Sequence, residues 1–325
     1  MDIEFHYYIT YILAREAMFN NDDSYIIAYS SQYVDDNCFY YYINFEDGGF
    51  YINEVSQTMD ITKPSTKRQK IYPLFHFFPG DPDSPKARRK DGKKHPFNTT
   101  PDSENARSVF HGAIATKNLY RIGIATHLYA DTWAHQNFIG MEDEFNAMPI
   151  WGIIPNIGHA DARHEPDKFD NRWKDPRLIE ENELIENSDR FLEAAEDIFS
   201  AYCRYNNPDI NYDTFTQKWH ELKGKLKDAM NESYLLGSDE RARLKAYNRL
   251  CIDIPNYDQK KWHHDAVEKL EWETDLFDRY WAKENFYESP WHKFQKAIKE
   301  HYELSLNMLK PIYKEAGLVG SMKSF

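Results

Sequence analysis

The chain has 325 residues, of which 41% are hydrophobic and 16% aromatic, and this composition predicts a globular protein with a sizeable core rather than a disordered one. Its 53 acidic and 40 basic residues give a net charge of -13, which argues against non-specific binding to nucleic acid or to an anionic membrane. Three scattered cysteines fit neither a disulfide framework nor a cysteine-based zinc site, and without a leader-like segment or an apolar run of about 18 residues we expect a cytoplasmic protein.

The N-terminal residues 3–34 predict two helices. A turn rich in Asn, Asp and Ser at residues 19–24 stops the first helix and caps the second. The first helix carries His6 near its start, and the second ends at Asp35 and Asp36. Two carboxylates at a helix C-terminus are unfavourable against the helix dipole, so this pair requires a compensating cation.

The next segment predicts a hairpin followed by a long loop. Residues 38–57 are aromatic and partly alternating around a turn at 46–49, which favours a short hairpin. Residues 60–104 contain many prolines and a basic run at 86–94, and they carry His76 between aromatic residues. Loops of this length are usually functional or mobile. The basic run is most simply solvated, with a phosphate-attracting lid as the alternative.

Residues 102–139 predict one long helix or two in tandem, and this stretch contains His127, Asp131 and His135 at intervals of four. Four residues advance a helix by about 400°, so the three side chains share one stripe, with the histidines about 12 Å apart. Because zinc ligands lie at about 2.0 to 2.2 Å, one ion cannot join both histidines, whereas the central carboxylate can bridge two or more ions. The apolar flanks favour this interpretation over histidines that only make core hydrogen bonds.

A Gly- and Pro-rich loop at 148–158 leads into a second dense set of candidate ligands. His159 is followed closely by Asp161, His164 and Asp167, and we expect at least one of them to bind metal. Beyond residue 180 the pattern predicts amphipathic helices at 189–205, 213–230, 239–250 and 291–309. We therefore predict one helical domain over residues 1–325, with a metal-site half at 1–180 and an accessory helical half at 181–325.

The order of these motifs resembles a known fold. A helical His6, an Asp at a helix end, a loop His76, the stripe through Asp131 and a Gly158-His159 pair together resemble the zinc-dependent phospholipase C fold, which is shared with single-strand nucleases that use a trinuclear zinc cluster. The motifs at 4–8, 29–36, 75–79 and 127–135 are similar to an uncharacterised bacterial family of unknown function. The resemblance covers about the first half of the chain. It implies an all-α, multi-helical bundle with a long loop or small hairpin insertion near 38–104.

Carried over to this sequence, the resemblance implies three ions. His6 and Asp131 would hold one, Asp35 or Asp36 with His76, His127 and Asp131 a second, and His135 with His159 a third.

Two departures from the pattern concern the first and third ions. The phospholipases also ligate metal through the amine of a processed N-terminal residue, and since this sequence starts at Met1 we expect that site to be lost or rebuilt with Asp2 or Glu4. Arg163 stands four residues after His159, where the phospholipases have Glu, so Asp161, His164 or Asp167 has to substitute. The expected metal ligands are His6, Asp35, Asp36, His76, His127, Asp131, His135, His159, Asp161 and His164.

The resulting hypothesis is a metal-dependent hydrolase, a phosphoesterase resembling phospholipase C or a nuclease, with two or three Zn²⁺ ions, although Mn²⁺ or Fe²⁺ suits the same ligands. Asp35 or Asp36 would orient the attacking water, and Arg163 would contact a phosphate oxygen. A small phosphoester, a lipid or a nucleotide remains open as the substrate. One alternative is a non-catalytic, metal-stabilised binding or scaffold protein with a closed site. Another is an HD-type phosphohydrolase, which would depend on His264 and Asp265.

Overall fold

Most of the chain folds into helices, as its sequence predicts. The computed structural model describes residues 1–58, 65–148, 156–232, 239–269 and 280–318, without the side chains of 65–69. A π-helical segment, Glu4–Ile9, leads directly into the first α-helix. The α-helices are α1 (Thr10–Glu16), α2 (Asn21–Asp36), α3 (Ser65–Phe75), α4 (Glu104–Thr116), α5 (Leu119–Ala134), α6 (Asn187–Asn206), α7 (Tyr212–Met230), α8 (Asp239–Leu250), α9 (Lys261–Ala266) and α10 (Pro290–Glu315). The strands are β1 (Tyr42–Asn44), β2 (Phe50–Ile52), β3 (Arg172–Lys174), β4 (Leu184–Glu186), β5 (Val267–Lys269) and β6 (Tyr280–Ala282).

Local capping signals set the starts of the helices around the candidate site. The Asn20 side chain accepts a hydrogen bond from the backbone N–H of Asp23 and so caps α2. Ser103 caps α4 and Asn118 caps α5 in the same way. Residues 102–139 therefore form two helices in tandem, joined at Lys117, whose φ of 58° is left-handed.

The prediction of an unbroken loop over 60–104 was wrong, because α3 occupies part of it. Residues 65–72 contain neither proline nor glycine, so two turns of helix form before Pro73, which disturbs only the last turn of α3. His76 consequently follows a helix end instead of lying within a loop. Residues 59–64 lie outside the described part of the chain.

The predicted hairpin is confirmed and belongs to a larger sheet. Strands β1 and β2 pair antiparallel, with Ile43 opposite Tyr51. Strand β6 pairs parallel to β1 and antiparallel to β5, which gives the order β2-β1-β6-β5. Strands β3 and β4 form a separate antiparallel pair. The fold is thus mostly helical with two small sheets, and the strands after residue 170 were not predicted.

Helix α5 lies at the centre of the core. Every residue from Ile122 to Ala134 is buried, so this helix is enclosed on all sides. Helices α2, α4, α6 and α10 pack against it. One hydrophobic core extends from Phe5 to Tyr313 and so joins both halves of the sequence. None of the helices in the described ranges has the length and apolar character needed to cross a membrane.

Gly123 allows α2 and α5 to approach closely. A Cβ atom on Gly123 would lie 2.4 Å from the carbonyl oxygen of Ile27 and 2.5 Å from Cβ of Ser30. One turn further along α5, Nδ1 of His127 donates to the carbonyl oxygen of Ser31 at 2.9 Å. The close crossing therefore places the C-terminal end of α2 beside the stripe of candidate ligands on α5.

The first prediction concerns this crossing. Gly123→Ala is expected to lower the free energy of unfolding by about 1 to 3 kcal/mol, because the added methyl group has to push the two backbones apart. The matched control is Gly112→Ala in α4, where a Cβ meets nothing within 4 Å. That change is expected to raise the free energy of unfolding by about 0.5 to 1 kcal/mol. Urea denaturation measures both, and similar effects for the two variants would contradict the close crossing.

Candidate metal centre

The carboxylate of Asp131 is buried at the centre of the candidate site, with only 1% of the residue exposed. Its Oδ1 atom lies 2.5 Å from the amine nitrogen of Met1 and 3.2 Å from Nε2 of His6. Its Oδ2 atom lies 3.2 Å from Nε2 of His127 and 3.4 Å from Nδ1 of His76. The two oxygens thus have different neighbours, which is the arrangement expected of a bridging carboxylate.

Three groups of potential metal ligands surround this carboxylate. Within each group the ligand atoms lie within 4.8 Å of one another. The groups are an inner one (His6, His127 and Asp131), a middle one (Asp35, His76 and His127) and an outer one (His135, His159 and Asp167). The described structure thus brings together seven of the ten residues that the sequence predicted as ligands.

Backbone carbonyl groups fix the protonation of four of the five histidines. Nδ1 of His127 and Nε2 of His76 lie 2.9 Å from the carbonyl oxygens of Ser31 and Ser56, respectively. In the same way, Nδ1 of His135 and Nδ1 of His159 lie 2.7 Å from the carbonyl oxygens of His76 and Arg163, respectively. Because a carbonyl oxygen only accepts, each of these nitrogens carries the proton, and the other nitrogen of a neutral ring carries a lone pair. Metal-binding histidines typically have this second hydrogen bond.

The remaining lone pairs converge on one another. Nε2 of His127 lies 3.0 Å from Nδ1 of His76, and both atoms approach Oδ2 of Asp131. In the outer group, Nε2 of His135 and Nε2 of His159 lie 3.3 Å from Oδ1 and Oδ2 of Asp167, respectively. Without a proton or a cation between them, such atoms repel. A divalent cation bound by imidazole and carboxylate would satisfy both groups.

His6 adds a second observation that fits a metal ion. It is fully buried, and neither of its ring nitrogens makes a well-aligned hydrogen bond to the described residues, although Nε2 lies 3.2 Å from Oδ1 of Asp131. Burial, together with the charges of His127 and the Met1 amine, lowers the pKa of His6 to about 3, so its ring is neutral near pH 7. A buried nitrogen without a partner is costly, and coordination would remove that cost.

The same surroundings act on the other ionisable groups. Burial lowers the pKa of His135, whereas at His76 the carboxylates of Asp131 and Asp35 outweigh burial and raise the pKa. Burial also opposes ionisation of Asp131, but His135, the Met1 amine and His127 hold its pKa well below the ordinary value. Asp131 is therefore ionised, and its charged partner is the Met1 amine, whose pKa is raised to about 11 because Asp131, Asp167 and Asp35 outweigh its burial.

One side of the cluster is open to solvent. The side chains of Asp35, His159 and Asp167 are 28%, 21% and 18% exposed. His6 and Asp131 of the inner group are at most 1% exposed. A substrate could therefore reach the middle and outer groups, while the inner group is enclosed.

Asp36, Asp161 and His164 lie outside the three groups. Oδ2 of Asp36 accepts from the hydroxyl of Tyr257 at 2.6 Å, so the structure groups Asp35 rather than Asp36 with the histidines. Asp161 is buried and accepts from the backbone N–H of Met148, whereas His164 is exposed. Of the three candidates left open to complete the last site, the one that joins His135 and His159 is Asp167.

Arg163 contributes through its backbone. Its carbonyl oxygen accepts from His159, its φ of 54° is left-handed, and its side chain is exposed. The described contacts therefore give the main chain of Arg163 an orienting role, and phosphate binding by its guanidinium group stays a prediction.

Glu4, one of the two residues expected to rebuild the first site if that site is not lost, is paired elsewhere in the structure. Its carboxylate is buried and forms a bidentate pair with Arg243, with distances of 2.8 Å to Nε and 2.7 Å to Nη2. Nη1 of Arg243 lies 2.9 Å from Oδ2 of Asp170. Arg243 therefore joins the segment that carries His6 to the segment that follows Asp167. No local pattern indicated this residue, because its partner is 239 positions away in the sequence.

Comparison with known proteins gives one result at the level of the family. Residues 1–309 match the model described as "Family of unknown function (DUF6765)", and the chain belongs to this family. The expectation of an uncharacterised family is thus confirmed. Neither the curated proteins nor the solved structures contain a significant match to the chain.

The second prediction concerns metal content. Protein purified without an affinity tag is expected to hold two or three ions per chain by elemental mass spectrometry. His159→Ala should lose one ion, and Asp131→Asn should lose at least two, because its carboxylate contacts several potential ligands. His220→Ala, an exposed histidine on α7, is the control and should keep the full content. Wild-type protein that stays empty after incubation with Zn²⁺, Mn²⁺ or Fe²⁺ would rule out the metal centre.

The third prediction concerns Arg243. Arg243→Met is expected to destabilise the protein by about 3 to 5 kcal/mol, because it leaves Glu4 buried without a partner. It should also weaken metal binding about 10- to 100-fold in a chelator competition, since the segments that carry His6 and Asp167 lose their common support.

Two further variants test this explanation. Glu4→Met combined with Arg243→Met should recover most of the stability, because it removes both charges. Arg249→Met breaks an exposed pair with Glu232 and should cost at most about 1 kcal/mol. Unchanged metal affinity in Arg243→Met would show that Arg243 only stabilises the fold.

Proposed function

We propose that this member of a family of unknown function is a metal-dependent phosphoric ester hydrolase. The arrangement of ligands around Asp131 is the observation that supports it. Each group contains three potential ligands, with His127 shared by the inner and middle groups, and the middle and outer groups have an exposed side. A catalytic metal site keeps a position open for water or substrate, whereas a structural site is closed by protein ligands.

The fold type that fits this arrangement is the helical bundle of the zinc-dependent phospholipases C and single-strand nucleases. Support comes from the order of the ligands along the chain and from their placement. His6 lies in an N-terminal helical segment, Asp35 ends a helix, and Asp131 lies on a buried central helix. The mostly helical architecture agrees with this likeness.

The number of ions is limited by how many ligand atoms are not already used in hydrogen bonds. Nδ1 of His127 is occupied by the carbonyl of Ser31, so only Nε2 is available, and it belongs to both the inner and the middle group. Asp131 has two oxygens with separate neighbours and is therefore the residue that links two ions. Two or three ions satisfy these constraints, and zinc, manganese and iron all suit imidazole and carboxylate ligands.

Bound divalent ions would acidify water and offset the negative charge of a phosphoryl transition state. The protein's own residues would hold these ions and orient the attacking water. Asp35 is partly exposed, and its Oδ1 atom receives a hydrogen bond from Nε2 of Gln57 at 3.4 Å. We propose that its carboxylate accepts a hydrogen bond from the attacking water, while His159 and Asp167 are the partly exposed residues of the outer group.

The enclosed inner group gives one specific reason to keep a non-catalytic role as the second candidate. His6, His127 and Asp131 are all buried, as in a structural metal site. A metal-stabilised binding protein would lose stability on metal removal and would show no turnover. The HD-type alternative has less support, because His264 and Asp265 are exposed, Asp265 pairs with Lys261, and neither residue is in a described ligand group.

The fourth prediction tests turnover. Wild-type protein loaded separately with Zn²⁺, Mn²⁺ or Fe²⁺ should hydrolyse bis(p-nitrophenyl) phosphate or p-nitrophenyl phosphate, measured as p-nitrophenolate release. Asp35→Asn should lower kcat at least about 100-fold, because the amide removes the charge that accepts from water.

The control for that experiment is Asp265→Asn, which changes an exposed aspartate of the HD dipeptide and should leave kcat within about 2-fold of the wild type. A large loss in Asp265→Asn and none in Asp35→Asn would favour the HD-type mechanism. Metal-loaded wild type that hydrolyses neither ester, but melts at a lower temperature after chelation, would favour the structural role.

A further inference from the structure

A large cavity lies beside the metal centre, between the C-terminal end of α2 and the mixed sheet. Its volume is about 910 Å³, which is near the upper end of the range of small-molecule pockets. Its walls come from residues 38–42, strands β1, β5 and β6, and helix α9. The cavity therefore depends on elements from both halves of the sequence.

Aromatic rings form much of the wall. Phe39, Tyr40 and Tyr42 line the cavity and are 64%, 43% and 47% exposed, although large aromatic side chains usually bury most of their surface. Tyr41 and Tyr280 line it as well. Rings that remain accessible in a concave site are suited to stacking on a planar ligand, and each stacked base contributes about 1 to 3 kcal/mol in nucleotide-binding proteins.

The charge of the wall favours an anion. Lys260 and Lys269 line the cavity, and the carboxylate of Asp36 is there as well but is occupied by the Tyr257 hydroxyl and by Nε2 of Gln32. A local excess of lysine stands out in a chain whose net charge is -13. A phosphate group is the anion that lysine side chains commonly bind.

His263 supports the aromatic wall from behind. It borders the cavity, is 5% exposed, and stacks on Tyr41 with ring centroids 4.0 Å apart. Its ring also packs edge-on against Tyr280, at 4.8 Å between centroids. These contacts hold two rings of the wall in fixed positions, which favours the stacking of a planar ligand on them.

The cavity also adjoins the proposed reaction site. Asp35 belongs to the middle ligand group, and the next residue, Asp36, lines the cavity. Consecutive Cα atoms are about 3.8 Å apart, so the two carboxylates are separated by no more than about 11 Å. The cavity wall at Asp36 therefore lies within about 11 Å of the middle ligand group.

We infer that this cavity binds a nucleotide, with the base stacked on the aromatic wall and phosphate attracted by Lys260 and Lys269. Nucleotide binding by the cavity is inferred from the geometry of the cavity and does not depend on the proposed hydrolase activity. Its consequence for catalysis rests on the proposed function: the substrate of the hydrolase is then a nucleotide ester rather than a lipid. The tyrosine hydroxyls and lysines of the wall agree with this choice, because lipid chains require continuous apolar surface.

The fifth prediction tests the cavity by calorimetric titration of the full-length, metal-loaded protein with AMP and with ribose 5-phosphate, which lacks the base. AMP should bind at least about 5-fold more tightly, because only AMP stacks. Tyr40→Leu should reduce AMP affinity about 5-fold or more, and Lys260→Met about 2- to 5-fold, with a larger loss at low salt.

Matched controls are available on the surface of α7. Tyr212→Leu and Lys225→Met change an exposed tyrosine and an exposed lysine outside the cavity wall, and both should leave AMP affinity unchanged. Tyr40 and Lys260 are themselves exposed, so their variants should keep the wild-type thermal unfolding midpoint.

The same titration on Asp131→Asn separates this inference from the proposed function. AMP binding that persists in Asp131→Asn and falls in Tyr40→Leu supports the cavity, whether or not the wild type hydrolyses esters. Hydrolysis of p-nitrophenyl esters together with equal affinity for AMP and ribose 5-phosphate would overturn the cavity and leave the hydrolase intact. AMP binding lost in Asp131→Asn but kept in Tyr40→Leu would also overturn it, because the phosphate alone would then be recognised by the metal centre.

Discussion

The buried charge of Asp131 is the constraint on which the rest of the structure depends. An ionised carboxylate in a protein interior costs several kcal/mol unless opposite charge or hydrogen-bond donors compensate it. Asp131 lies in α5, whose residues are buried continuously from Ile122 to Ala134, so water does not supply this compensation. The partners come from the N-terminal segment, from the end of α3, and from His127 and His135 one turn away on either side of Asp131. Folding the core and assembling the site are therefore the same process.

Main-chain carbonyls turn this cluster into an oriented set of ligands. The oxygens of Ser31 and Ser56 hold His127 and His76 so that their unprotonated nitrogens face Asp131. Such contacts fix both the ring orientation and the tautomer before any ion arrives. The absence of a side chain at Gly123 allows the first of these contacts, because it lets α2 come close enough for Ser31 to reach His127.

The sequence could predict what depends on local periodicity. The stripe through His127 and Asp131, the helices after residue 180 and the hairpin near residue 46 follow from spacing and turn residues, and the structure contains them. It could not decide between Asp35 and Asp36, because their directions differ by about 100° and the rotation of α2 is set by its packing on α5. Nor could it pair Glu4 with Arg243 or β1 with β6, since those contacts join distant parts of the chain.

The sequence of the C-terminal half predicts no function for it, but in the structure two of its residues contact the segments that carry the candidate ligands. Arg243 neutralises Glu4 beside the segment of His6, and Tyr257 holds Asp36 away from the ligand groups. Without that hydroxyl, two adjacent carboxylates at the end of α2 would compete for the same cations. The two carboxylates at the end of α2 thus have different surroundings. Asp35 belongs to the metal centre, whereas Asp36 is held by Tyr257 and lines the cavity. A rotation of α2 by about 100° would turn Asp36 toward the metal centre and Asp35 away from it, so the packing that fixes the helix also determines which carboxylate serves the site.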